Sequence, residues 1–198
     1  MNLLLKQEIF RKILHISASI IPISYSMIHS LNDYYIAFFL FLITGLGIVL
    51  EYARERYKQV KIFFSRFFNF MMRNEELAGK LTGATWLLLG CFFSVILFPK
   101  EISVVSMLLL TIGDAFAAII GVAFPYGKYK GKTISGSLGG FFLASLIIFC
   151  FFENINPIVL VVGSIFAMLT ELLPSPINDN LTIPIISGSA MVAIGQIF

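Results

Sequence analysis

The chain has 198 residues, 58% of them hydrophobic and 13% charged, with a formal charge of +3 and a strongly positive mean hydropathy. A soluble domain of this size carries far more charge, so the composition excludes one and indicates an all-α polytopic membrane protein. At about 20 residues per span there is room for about seven transmembrane helices with short connections, so residues 1–198 read as one integral-membrane domain.

A short head carries Lys6, Glu8, Arg11 and Lys12. Residues 13–31 then form a first span, and Asn32 and Asp33 mark a turn. His15 interrupts this apolar run and many spans follow, so a cleaved secretory signal would not leave a soluble product. The second span covers residues 34–50 and ends at Glu51. Residues 52–80 hold seven basic residues among clustered aromatics, too polar to cross a membrane. Val60, Phe63, Phe64, Phe67 and Met71 recur at helical spacing, with Lys58, Lys61, Ser65, Asn69 and Arg73 opposite. That is the pattern of an amphipathic helix lying in the interface.

Residues 81–98 make a third span, and residues 102–124 a fourth that carries Asp114. A glycine-lysine loop follows. The fifth span covers 137–152, the sixth 158–173, and P-S-P-I-N-D-N breaks the chain before a last span over 181–198. The head, the connector and the glycine loop hold thirteen of the fourteen Lys and Arg residues, and Lys100 is the other. The positive-inside bias therefore puts these segments and the N-D-N turn at the cytoplasmic face of the cell (inner) membrane, with the amino terminus inside and the carboxyl terminus outside. Gly113, Ala117 and Gly121 recur every four residues before the loop, as do Gly136, Gly140 and Ala144 after it, so two helices are expected to approach closely there. Cys91 and Cys150 fall within apolar runs and suggest neither a disulfide nor a zinc site.

The chemistry concentrates between Ile112 and Gly140. An Asp in an apolar span is unfavourable by about 2.5 to 3.5 kcal/mol on insertion scales, so Asp114 is expected to face a protein interior or wet cavity. Lys128, Lys130 and Lys132 alternate with Gly127, Gly131 and Gly136, offering charges and exposed N–H groups to phosphate on a mobile loop. Basic residues at a cytoplasmic loop are also what topology alone requires. The string G-K-Y-K-G-K-T is one residue short of a nucleotide P-loop and follows no buried strand, so it is not one. Its lysines, with Gly131, Gly136, Thr133, Ser135 and Ser137, retain the means to neutralise and hydrogen-bond a polyphosphate.

Asp179 and Asn180 precede the last span and Glu171 lies about two helical turns earlier. With Asp114 they offer an oxygen-rich site for Mg²⁺, which takes one or two carboxylates plus substrate phosphates. Alternatively, N-D-N is a helix cap. Near the amino terminus, R-K-I-L-H puts Arg11 and His15 on one helix face with Lys12 beside them. Arg11 and Lys12 either bind phosphate or snorkel to headgroups. His15 or Asp114 could relay a proton. His29 is given no role.

R-K-I-L-H, G-D-A-F-A-A-I-I-G with G-K-Y-K-G-K-T-I-S-G-S, and E-L-L-P-S-P-I-N-D-N-L-T-I-P, in that order from Arg11 to Pro184, resemble the polyprenol kinase family of dolichol kinase, phytol kinase and CTP-dependent diacylglycerol kinase. The resemblance implies transfer of the γ-phosphate, usually from CTP, to the hydroxyl of a membrane lipid alcohol. The central motif is also similar to that of CDP-diacylglycerol synthases, so a phosphatidate cytidylyltransferase is the alternative, and a lipid-binding or transport protein without chemistry the third. The late motif favours the kinases. Ser135 stands where members of both families often carry an acidic residue. The chain lacks the extra amino-terminal spans of eukaryotic dolichol kinases and so resembles a minimal, prokaryotic member. The expected partners are a membrane lipid and a nucleotide, with no nucleic acid; no segment specifies an oligomeric state.

Overall fold

The computed structural model describes residues 3–68 and 71–197. Its axis is one helical run in which α7 (Lys100–Leu108) and α8 (Asp114–Ala123) are joined by a five-residue π-helical stretch, Leu109–Gly113. In this run 67% of the apolar window is buried, against 17% in α3 (Asp33–Arg56), so the first is central and the second peripheral. Val104, Val105, Met107, Leu109 and Leu110 are wholly enclosed. A π-helical stretch widens the turn and rotates the face presented by the residues after it. Helical pairing resumes where the Asp114 N–H bonds the Leu110 carbonyl, so the residue delivered by the stretch is the carboxylate.

Around the axis stand α1 (Leu3–Ser17), α2 (Ile20–Met27), α6 (Gly83–Leu97), α9 (Ile134–Phe151), α10 (Pro157–Leu172) and α11 (Asp179–Gly195). α9 packs on α8, α10 on α11 and α9, and α6 on α3 and α11. The small-residue faces of α8 and α9 meet as expected. A Cβ on Gly140 would stand 2.7 Å from the Gly113 carbonyl oxygen, and one on Gly113 would stand 3.6 Å from Ala144 Cβ. Asp33–Arg56, Lys100–Ala123 and Ile134–Phe151 are long and apolar enough to cross a membrane, while Gly83–Leu97 and Pro157–Leu172 are apolar but shorter. The architecture is that of an all-α membrane protein.

Several boundaries differ from the sequence expectation. The first span, expected over 13–31, is two helices broken at residues 18–19, because Pro22 has no N–H for the Ala18 carbonyl and its ring disfavours the preceding turn. Ser19 Oγ at this break donates to Thr111 Oγ1 in the π-helical stretch at 2.8 Å, tying the two irregular segments together. α3 continues past residue 50 to Arg56, since Glu51 is buried rather than solvated. Its carboxylate pairs with Arg54 at 2.8 Å and accepts the N–H of Thr82 at 3.1 Å, just ahead of α6.

The expected amphipathic helix is short, α4 (Lys58–Phe68), and buries none of its residues. Its aromatic stripe is stacked on itself, with Phe63 and Phe67 ring centroids 4.9 Å apart. Asn69 lies outside the described residues; Met71 and Arg73 follow the helix, ahead of one turn, α5 (Asn74–Leu77). The glycine loop is not a mobile coil but a β-hairpin in which β1 (Lys128–Tyr129) pairs antiparallel with β2 (Lys132–Thr133). Lys130 and Gly131 form its tip with φ of 45° and 90°, the doubly positive pattern of a tight two-residue turn. The last helix starts at Asp179, and Phe198 lies outside the described residues.

Candidate active site

One cavity of about 390 Å³ collects most of the residues singled out from the sequence. Arg11, Lys12 and His15 reach it from α1, Asp114 from α8, Lys130, Gly131, Lys132 and Thr133 from the hairpin, Glu171 from α10, and Asp179 and Asn180 from α11. These segments are scattered over the chain, and packing of α1 and α11 against the central run brings them together.

Two ion pairs organise the cavity. Lys12 Nζ donates to Asp114 Oδ2 at 2.6 Å, and His15 Nδ1 lies 3.3 Å from the same oxygen. Lys12, His15 and Asp114 are 6%, 9% and 7% exposed, so the charge on Asp114 is met by groups from another helix instead of by water. In the second pair Lys132 Nζ meets Asp179 Oδ2 at 2.5 Å and Glu171 Oε1 at 3.5 Å, and also donates to the Glu171 carbonyl oxygen. Burial pulls the Lys132 ammonium down, but the carboxylates of Glu171, Asp179 and Asp114 outweigh it and hold its pKa above the ordinary lysine value. Lys132 therefore stays charged at neutral pH and staples the hairpin to the α10–α11 turn.

Local structure explains which side chains face the cavity. Asn178 caps α11 by accepting the Asn180 N–H at 3.0 Å, so the cap is Asn178, and the Asp179 carboxylate is left to pair with Lys132. Asn180 Nδ2 donates to the Gly83 carbonyl at 2.7 Å, fixing α11 against the start of α6. Thr133 caps α9 through Gly136 N–H at 3.1 Å. Ser137 Oγ donates to Glu171 Oε2 at 2.6 Å and orients that carboxylate.

Several expected phosphate ligands do not line the cavity. Lys128 stands at the open end of the hairpin opposite Thr133 and is exposed. Gly136 is buried in the α8–α9 contact, where a Cβ would strike the Ala117 carbonyl oxygen. Ser137 is turned toward Glu171. Ser135 instead closes the loop by donating to the Phe124 carbonyl at 2.5 Å. Arg73 and Asn178 do line the cavity and were missed. Arg73 read as one more polar residue of the connector; the N-D-N triplet was the available signal for Asn178.

Arg11, Lys12, Arg73, Lys130 and Lys132 face Asp114, Glu171 and Asp179, a surplus of cations suited to a polyanion. Among the described residues no three of His, Cys, Asp and Glu approach closely enough to grip a metal by themselves. Asp114, Glu171 and Asp179 line this one cavity, and carboxylates are the ligand type that Mg²⁺ takes one or two at a time, completing its shell with phosphate and water. Val122, which is exposed, gives the cavity an apolar edge.

The uncharacterized protein RP860 of Rickettsia prowazekii is 34% identical over 88% of each chain. The chain belongs to the same family as that protein. It is also 29% identical to the uncharacterized protein MJ1137 of Methanocaldococcus jannaschii, over 91% of this chain and 90% of the relative. CTP-dependent diacylglycerol kinase 1 of Saccharomyces cerevisiae is 24% identical over 98% of this chain and 75% of its own length. This distant homology supports a lipid kinase family. No family model matches the chain, and no solved structure matches it.

Proposed function

We propose that the protein is a CTP-dependent lipid kinase that transfers the γ-phosphate to the hydroxyl of a membrane lipid alcohol, either diacylglycerol or a polyprenol or other isoprenoid alcohol. The observation that carries this reading is the convergence of the Lys12–Asp114 and Lys132–Asp179 pairs on one cavity. Its distant homology to lipid kinases supports this class of reaction.

On this reading Arg11 and Lys12 from α1 and Lys130 and Lys132 from the hairpin take the triphosphate. Lys12 and Lys132 exchange carboxylate oxygens for phosphate oxygens as it enters, and Asp114 and Asp179, with Glu171, would hold magnesium. Bound magnesium supplies further neutralisation of the transferred group. The lipid hydroxyl, entering past the apolar edge at Val122, forms the new P–O bond while the bond from the γ-phosphorus to the β–γ bridging oxygen breaks and CDP leaves. His15, whose Nδ1 lies 3.3 Å from Asp114 Oδ2, or Asp114 itself, accepts the hydroxyl proton on this reading. Positioning and charge neutralisation carry most of phosphoryl transfer, so this base adds little.

The same reading has about seven spans, with α4 lying in the interface and the cavity at the cytoplasmic face of the cell membrane. The Lys and Arg distribution and the stacked aromatic stripe of α4 support it.

The test is release of CDP from CTP by purified protein in lipid vesicles with Mg²⁺. Release should require a lipid alcohol. Pyrophosphate in place of CDP, with phosphatidate as the required lipid, would contradict the kinase.

A further inference from the structure

A second cavity, of about 530 Å³, adjoins the first. Arg73, Asn178 and Asp179 line both, so the two share a wall built by residue 73 and the start of α11. Each falls within the roughly 300–1,000 Å³ of small-molecule sites.

The two chambers differ in chemistry. In the second, Lys80 is paired with Glu75 at 2.8 Å, and the Glu76 carboxylate accepts the backbone N–H groups of Arg73 and Gly83, both at 2.8 Å. Lys80 is thus neutralised within the chamber, which presents two cations, Arg73 and Lys80, against the five of the first and so exerts less pull on a phosphate. A wall of ionic side chains is equally unsuited to an acyl chain. Trp86, half-buried on α6, lines it together with Ser175, Pro176 and Ile177. An aromatic face with peptide groups nearby is what a sugar and a heterocyclic base require.

We propose that this second chamber is the nucleoside subsite of the phosphoryl donor, with the base against Trp86 and the ribose at the Arg73–Asn178 wall. The inference rests on the first cavity being the phosphate site. Arg73 then stands between base and phosphates. Glu76 is a positioning residue, because it links residue 73 to Gly83, whose carbonyl is held by Asn180.

Trp86 is the chain's single tryptophan, so its emission reports on this chamber alone. The full chain in lipid nanodiscs is titrated with CTP and with inorganic tripolyphosphate, and retention of labelled CTP is followed in parallel. CTP should quench Trp86 with the same midpoint as its retention. Tripolyphosphate should displace the label and restore emission without quenching by itself. Trp86→Ala should raise KM for CTP roughly tenfold while leaving KM for the lipid alone, and Trp86→Phe should recover most of the loss. Retained CTP with unchanged Trp86 emission would overturn the subsite and leave the phosphate site standing. Failure to retain CTP at all would overturn both.

Discussion

Lys12 Nζ and Asp114 Oδ2 lie 2.6 Å apart across 102 residues of sequence, both almost fully buried. The pair joins the first helix to the central one at the point where the π-helical stretch ends. A buried ion pair is a poor source of stability but a costly thing to halve, because the remaining charge stays desolvated. That asymmetry separates its structural role from its chemical one.

Asp114→Asn should abolish turnover and lower the thermal midpoint, since loss of one buried partner costs about 3–5 kcal/mol. Lys12→Met combined with Asp114→Asn removes both charges and should recover much of the stability but none of the activity. Thermal unfolding in detergent and CTP turnover read the two effects separately. Activity in the double variant would show that Asp114 serves packing only.

Lys132→Met should raise KM for CTP by more than tenfold, about 1.4 kcal/mol or more in transition-state binding. Its pH behaviour is also fixed. The folded-state pKa is held above the ordinary lysine value of about 10.5, so its contribution to stability is complete below that value and lost as pH rises through the folded one. The difference in thermal midpoint between wild type and Lys132→Met should therefore be constant from about pH 6 to 9. A difference that fades within that range would mean the carboxylates do not hold the ammonium.

Lys130 adopts φ of 45°, a left-handed conformation that costs a side chain with a Cβ roughly 1–2 kcal/mol. Lys130→Asn suits that conformation and removes the charge. It should leave the protein as stable as before or more so, while weakening CTP binding severalfold. Unchanged CTP binding would take Lys130 out of the phosphate site.

Gly140→Ala should destabilise by about 1–3 kcal/mol, because the new methyl meets the Gly113 carbonyl 2.7 Å away and the backbone there has no room to retreat. Gly45→Ala is the control, with nothing within 4 Å of its Cβ position, and should be neutral or slightly stabilising. Equal thermal midpoints for the two would remove the close α8–α9 approach from the account.

Much of this was legible in the sequence because the membrane restricts what a polar residue can do. Asp114 stood out against its apolar span, and the four-residue spacing of small residues announced the α8–α9 contact. What the sequence withheld were pairings at long range and local cap choices. Nothing near Lys12 points to Asp114, and the choice of Asn178 over Asp179 as the α11 cap depends on backbone geometry at the turn. The hairpin went unseen because two-residue strands leave no periodicity to detect. The break at residues 18–19 was masked by continuous apolar composition, although Pro22 was its available signal.

The central claim is that the cavity moves a phosphoryl group from CTP to a lipid hydroxyl. The most direct measurement incubates the protein in vesicles containing diacylglycerol, isoprenoid alcohols and phosphatidate with Mg²⁺ and CTP labelled at either the α or the γ phosphorus. Label should reach the lipid from γ-labelled CTP only, and be absent with Asp114→Asn. Lipid labelled from the α position would contradict the account and make the protein a cytidylyltransferase.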